Sequence, residues 1–381
     1  MNTISAEFPH PDELIYLNHA GVAPWPQRTA DEVAAFAREN TRQGARDYAQ
    51  WMERESRLRA QMAELVGAAA ADDIALVKNT SEGLSLVAYG LPWQPGDNVV
   101  INRAEFPSNR VVWESLRTAF GVEVRDVELS PDDPEQTLID AMDERTRVLP
   151  VSSVQFGTGL RMDLPRLVRA CREADALFCV DAIQSVGALR TDVRALEADF
   201  LIADGHKWML GPEGIGLFYS TAEARDRLSL RQYGWHMVQA VGDYDRSDWT
   251  AASAARRFEP GSPNTLGIYG LSASLSLLLE TSVEAVESRV LDNARHLMQR
   301  IDSEPALSLL TPNAPNRHAG IVTFRVQGVD NAALYRRLRQ AGVICASRAG
   351  GVRFAPHFYN SAHQLDRAVD LALSLKNELI E

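Results

Sequence analysis

The chain has no positive charge to spare: 39 lysines and arginines stand against 51 aspartates and glutamates, giving a net charge of −12. Nucleic acid and anionic membrane both require clustered cations, so neither is expected as a main partner. A local basic pocket for a phosphate or a carboxylate remains compatible with that balance. Cysteine is scarce as well. Cys171, Cys179 and Cys345 have neither metal-ligand spacing nor an even count, so a cysteine-built metal site or disulfide framework is not expected. Reduced core thiols in a cytoplasmic protein are. The stretch Met1 to Pro11 carries Glu7 and no apolar segment, which predicts no signal peptide. No uncharged apolar run reaches the length of about 18 residues that suggests a membrane span. The nearest, Leu266 to Leu279, reads as a core helix. What is present is 381 residues at 45% hydrophobic content, enough for a large core and two domains.

Short apolar runs alternate with helical patterns from Ile74 onward. Strands are predicted at Ile74–Val77, Asn98–Ile101, Val122–Val127, Val148–Ser153, Leu177–Asp181, Phe200–Ala203 and Ile215–Tyr219. Helices fit Ser81–Ala88, Ser108–Ala119, Pro134–Met142, Leu164–Ala174 and Ala222–Leu228. That alternation predicts an α/β fold with a mostly parallel sheet covered on both faces. Ligands of such sheets bind beyond the carboxyl ends of the strands. Upstream, Asp31 to Val66 reads as helical, with Trp51, Leu58, Met62 and Leu65 as its core stripe. The alternation is less regular after the helical segment that runs through Arg300, which predicts a separate, smaller α+β domain.

Two strand ends carry chemistry. The run Phe200–Ala203 delivers Lys207 into the turn Gly205-His206-Lys207, and Leu177–Val180 ends in Asp181. Desolvation lowers an amine's pKa, and a lysine that forms an imine must be neutral. An aspartate and a lysine on separate strand ends form the pair a pyridoxal phosphate site needs: one holds the pyridinium proton, the other carries the cofactor. Taken alone, Lys207 reads more readily as a solvated turn lysine. Asn79-Thr80-Ser81-Glu82-Gly83 opens a helix after a strand, where amides and hydroxyls suit a phosphate; an ordinary N-cap has the same appearance.

Val180-Asp181-Ala182-Ile183-Gln184 and Gly205-His206-Lys207 resemble the cofactor motifs of the class V aminotransferases. These are fold-type I pyridoxal-phosphate enzymes that include cysteine desulfurases, selenocysteine lyases, kynureninases and isopenicillin-N-epimerase-like proteins. The resemblance runs from Tyr16-Leu17-Asn18-His19-Ala20 to Tyr359-Asn360. It implies a seven-stranded, mostly parallel sheet in a large cofactor-binding domain at residues 16–265, with residues 1–15 and 266–381 forming the small domain. Lys207 would hold the cofactor and act as the base at Cα, Asp181 would pair with the ring nitrogen and Gln184 with the phenolic oxygen. Thr80, Ser81 and His206 would anchor the phosphate. Ser262, in Phe258-Glu259-Pro260-Gly261-Ser262-Pro263-Asn264, matches a hydroxyl that reaches the partner subunit's phosphate, so a homodimer with shared sites is implied. Arg353 stands seven residues before Asn360, the spacing of the family's carboxylate-binding arginine. Ser153 and Gln155 are expected to contact substrate.

Three departures narrow the reading. Where desulfurases stack a histidine on the cofactor, this chain has Phe106, which supplies a face but no proton. Asp204 replaces a common serine and is left out of the expected site. The loop that carries the desulfurase cysteine is missing: Arg348-Ala349-Gly350 runs through Gly351-Val352 directly into Arg353, and Cys345 precedes the motif. The expectation is a metal-free pyridoxal-phosphate enzyme acting on a small L-amino acid, a lyase performing C–S cleavage or β-elimination. Transamination or epimerisation is the alternative chemistry, and a non-catalytic binding protein the alternative class.

Overall fold

The computed structural model describes residues 2–380. The seven apolar runs form one sheet, built from β1 (Ile74–Val77), β2 (Asn98–Asn102), β3 (Glu123–Val127), β4 (Thr146–Ser152), β5 (Leu177–Asp181), β6 (Phe200–Asp204) and β7 (Gly216–Ser220). Their spatial order is β1-β7-β6-β5-β4-β2-β3. Strands β2 to β6 pair in parallel. β7 is the exception, antiparallel to both β6 and β1. The reason lies in the connection: β6 passes to β7 through the Lys207 turn alone, without the crossover of a dozen or more residues that parallel pairing demands.

Every residue of β2, β5, β6 and β7 is buried, as expected for strands covered on both faces. The pleat sorts them between two cores. Phe178, Val180, Leu201 and Ala203 pack on one side, and Leu177, Cys179, Phe200 and Ile202 on the other. Burying one such side chain stabilises by roughly 1.5–3 kcal/mol.

The expected helix from Asp31 to Val66 is two helices, α1 (Gln27–Gln43) and α2 (Tyr48–Val66). They part at Gly44, whose φ of 58° a helix cannot accommodate. Leu58, Met62 and Leu65 of the α2 stripe enter the core, whereas Trp51 is half-buried and donates its Nε1–H to Glu39. The apolar run after Asn264 forms α3 (Thr265–Thr281), with the Asn264 side chain accepting from the Gly267 amide at its start. The sequence places this helix in the small domain, but it packs on α1 and α2. Its Ile268, Leu271 and Leu275 share a core with β6. Helix α4 (Val283–Asp302) follows after Ser282, whose φ is 68°.

The small domain is a four-stranded antiparallel sheet of β8 (Leu307–Leu309), β9 (Val322–Val326), β10 (Ala346–Arg348) and β11 (Gly351–Phe354), in the order β10-β11-β9-β8. Its core of Leu297, Phe324, Leu338, Phe354 and Leu365 also recruits Ile15 and Leu17. The strand Ile15–Tyr16 pairs in parallel with Val343–Ile344, which ties the beginning of the chain to this domain. The three cysteines are buried and unpaired. Among the described residues, no single helix is long and apolar enough to cross a membrane.

Candidate active site

A cavity of about 270 Å³ opens where the fold predicts it, at the carboxyl ends of β1, β2, β5 and β6. β1 leads to Asn79, Thr80 and Ser81, β2 to Phe106, β5 ends at Asp181, and β6 leads to His206 and Lys207. Arg353 of β11 and the Ala20-Gly21-Val22 loop close it from the small-domain side. Eight residues expected from the sequence therefore meet in one cavity: Lys207, Asp181, Gln184, Thr80, Ser81, Phe106, His206 and Arg353.

The Lys207 turn is fixed by backbone bonds. Gly205 N–H donates to Ile215 O at 2.9 Å, Gly211 N–H to Gly205 O at 2.8 Å, and Ala23 N–H to His206 O at 2.8 Å. Gly187, at φ 92°, lets the segment after β5 pass beneath: a Cβ there would lie 2.4 Å from Trp208 O. Lys207 is buried, and burial lowers its pKa below the ordinary lysine value, with Asp181 opposing that shift and Arg353 reinforcing it. Burial raises Asp181, and the nearby Glu105 carboxylate adds to the rise. The Ile183 amide, donating to Asp181 Oδ1 at 3.2 Å, pulls the other way. The result is a buried carboxylate shifted up and a buried amine shifted down in one cavity, the kind of perturbation that clusters at functional sites.

Several polar groups are held in place yet have unused bonding capacity. Gln184 Oε1 accepts from Trp208 Nε1 at 2.9 Å and its Nε2 donates to Ala20 O at 3.1 Å. The indole N–H fixes which end of the amide is which, and leaves one Nε2 hydrogen for another acceptor. Asn79 is the true N-cap, accepting from the Glu82 amide at 2.9 Å. The cap thus falls on Asn79 and not on Thr80 or Ser81. Thr80 Oγ1 is buried without a partner, and Ser81 Oγ donates to Ser108 Oγ at 2.9 Å. Phe106 is 40% exposed, so it is no core residue; Lys207 Nζ lies 5.5 Å from its ring centroid.

Arg353 is not the surface ion-pair residue that a lone arginine usually is. It is 1% exposed. Nη1 donates to Phe156 O at 2.7 Å, Nη2 to Asn18 Oδ1 at 3.4 Å, and Nε has no partner. Burial, with Arg348 nearby, lowers its pKa to about 9. Arg353 thus faces the cavity as a buried guanidinium with no carboxylate partner among the described residues.

Two expected substrate contacts do not reach the cavity. Ser153 follows Ser152 on β4 and faces the other side of the sheet, where its Oγ lies 2.7 Å from Ser185 Oγ. Gln155 is buried and gives its Nε2 to Glu105 at 3.1 Å. Ser262 is exposed and lines a separate cavity beside Asn79 and Glu82, not the one that holds Lys207. Asp204, left out of the expected site, lines it: its Oδ1 is 3.1 Å from His206 Nδ1.

Sequence reasoning also missed two residues. Glu105 is buried beside the site and accepts from Asn102 Nδ2, the Ser152 amide, Ser152 Oγ and Gln155 Nε2. Arg348 stands at the cavity wall. Cys345 lies outside the cavity and is buried, which pushes its thiol up to about 12 and keeps it protonated.

The chain is similar to known proteins along nearly its whole length. The family model for aminotransferase class-V matches residues 15–375. The chain is 29% identical over 378 residues to a probable cysteine desulfurase of Methanothermobacter thermautotrophicus, covering 92% of both chains. It is 32% identical over 323 residues to a cysteine desulfurase of Pectobacterium atrosepticum, covering 82% of this chain and 78% of that one. Among solved structures it is similar to the cysteine desulfurase CsdA of Escherichia coli, with a TM-score of 0.85 at 24% identity over 98% of each chain. A complex of the cystine C-S lyase C-DES with cysteine persulfide gives a TM-score of 0.88 at 22% identity, covering 96% of this chain and 99% of that one.

Proposed function

Because the chain belongs to the class V aminotransferase family and is a pyridoxal-phosphate-dependent enzyme, we propose that it cleaves the Cβ–S bond of a small L-amino acid without an enzyme cysteine. One observation carries this reading: a buried, carboxylate-free Arg353 shares a cavity with Lys207, and no thiol lines that cavity. The named relatives support sulfur chemistry.

The residues fit the cofactor. Thr80 Oγ1, buried and unpartnered, and Ser81 would take its phosphate, with His206 beside them. Gln184 has a free Nε2 hydrogen for the phenolic oxygen, Asp181 a carboxylate for the ring nitrogen, and Phe106 an exposed face for the ring. When bound, pyridoxal phosphate supplies a sink for the electron pair released at Cα. Arg353 grips the substrate carboxylate through two N–H groups and fixes which Cα bond is presented for cleavage. Lys207 Nζ, its proton affinity lowered by burial, takes the Cα proton. The Cβ–S bond then breaks, and sulfur leaves with the bonding pair. Cys345, protonated and outside the cavity, does not receive it.

The assay follows directly. Purified holoenzyme shows a visible cofactor band, and adding cysteine, cystine or another S-substituted L-cysteine shifts it and releases pyruvate and ammonia. A band that converts to the pyridoxamine form without pyruvate release points instead to transamination; no band after cofactor addition would refute the whole reading.

The working unit in this reading is a cytoplasmic homodimer. Ser262, exposed on its proline-broken loop, would reach the phosphate of the neighbouring subunit. Support comes from its place outside its own cavity; the unpaired buried cysteines suit a reducing compartment. Sedimentation at about the 42.1 kDa mass of one chain, rather than twice that, would exclude the shared site.

A further inference from the structure

We propose that Asp204 makes capture of the cofactor phosphate proton-linked, so that the chain takes up a proton as it seats the phosphate and holds it less tightly as pH rises; this rests on the cofactor placement above. The observation is a set of unpaired polar atoms. Thr80 Oγ1, Asp204 Oδ1 and His206 Nδ1 are buried without hydrogen-bond partners, and all three residues line the cavity that holds Lys207. Such atoms are rare in folded chains, so three in one cavity mark the seat of a ligand.

The three are not alike. A threonine hydroxyl and an imidazole N–H can donate to a phosphate oxygen, whereas a carboxylate can only accept. Asp204 Oδ1 lies 3.1 Å from His206 Nδ1, within ion-pair reach but not aligned for a hydrogen bond. Nor can Asp204 withdraw from the site. It ends β6 opposite Gly216, and the Gly205 amide that follows is tied to Ile215 O at 2.9 Å. Its side chain is 7% exposed, so water screens it little.

A phosphate monoester approaches two negative charges above its second pKa of about 6, and then offers acceptors alone. Beside a carboxylate it leaves two acceptors facing each other, and low-dielectric surroundings enlarge that cost. One proton removes it. Held between the two oxygens, or on His206 with both ring nitrogens donating, the proton turns repulsion into a hydrogen bond and lowers the local charge by one. The other charged groups of the cavity have different tasks in the placement above. Lys207 carries the cofactor, Asp181 meets its ring nitrogen, and Arg353 and Arg348 stand on the small-domain wall. The segments after β1 and β2 line the cavity only with the neutral Asn79, Thr80, Ser81, Phe106 and Ser108. His206 is therefore the one titratable neighbour through which Asp204 can share the proton.

The test uses the full-length chain freed of cofactor, titrated with pyridoxal phosphate and with pyridoxal, which lacks the phosphate, between about pH 6.5 and about pH 8.5, above the phosphate's second pKa. Both are read by the visible band, so any pH dependence contributed by Lys207 cancels in the ratio of their Kd values. In the wild type the advantage of the phosphorylated form should fall about tenfold per pH unit, as the uptake of one proton requires. Asp204→Asn, equal in size and able to donate, should flatten the ratio and raise the advantage at the alkaline end. Asp204→Glu should keep the slope, which loss of a merely structural aspartate would not explain. A flat ratio in the wild type, or a slope that survives Asp204→Asn with the thermal transition of the wild type, overturns the proposal. A band with neither compound retires the cofactor placement along with it, whereas which substrate bond is cleaved bears on neither.

Discussion

Lys207→Ala abolishes the visible cofactor band and lowers turnover by at least about 10²–10⁴-fold, the usual contribution of a positioned acid–base group. Among the described residues, no other lysine lines the cavity. The chain has only three lysines, and Lys78 and Lys376 lie outside the cavity, Lys78 exposed with its Nζ 3.5 Å from Glu82 Oε1. Lys207→Arg is the sharper variant, since it keeps the charge and most of the volume. An arginine stays protonated, so it neither carries the cofactor nor accepts a proton, and this variant must fail as completely as alanine. Burial lowers the pKa of Lys207, with Arg353 as a second cause and Asp181 opposing. In the wild type the rate therefore rises with pH through a pKa below the ordinary lysine value, as the neutral amine forms. Retained turnover in Lys207→Arg, with the thermal transition of the wild type, would remove Lys207 from the mechanism.

The parts of this site that could be read from the sequence are those fixed by strand ends. Asp181 and Lys207 each end or follow a five-residue apolar strand, and a parallel sheet brings such ends to one edge whatever the rest of the chain does. The direction of β7 was not readable, because a buried apolar run looks the same in either sense. Ser153 shows how parity defeats a motif. Ser152 and Ser153 are one residue apart, so they face opposite sides of the sheet. Ser152 binds Glu105 near the site, and Ser153 meets Ser185 behind it. Glu105 itself gains its meaning from Ser152 and Gln155, 47 and 50 residues later, which only strand pairing brings close. Arg348 belongs to the Arg348-Ala349-Gly350 motif, and only hairpin register brings it to the cavity wall. Phe106 could be core or cavity wall from its neighbours alone; its 40% exposure decides for the wall.

Arg353→Ala raises KM by roughly 10²-fold or more for whichever L-amino acid proves to be turned over. Truncating one partner of a buried charge pair costs about 2–5 kcal/mol, and in the proposed complex the other partner is the substrate carboxylate. The free enzyme should bear the change easily. Arg353 is buried with Nε unpartnered and with Arg348 depressing its pKa, so removing its charge relieves a strained arrangement and breaks no ion pair. The bonds lost, to Phe156 O and Asn18 Oδ1, are ordinary ones of about 1 kcal/mol net. Binding and folding thus separate: a large effect on KM, a small one on the thermal transition. Arg353→Lys distinguishes charge from geometry. An ammonium keeps the attraction but lacks the planar fork, so it recovers part of KM and little of kcat, because the orientation of the Cα bond is no longer enforced. An unchanged KM in Arg353→Ala would leave the carboxylate without a receptor and send the search to Arg348, the remaining guanidinium on that wall.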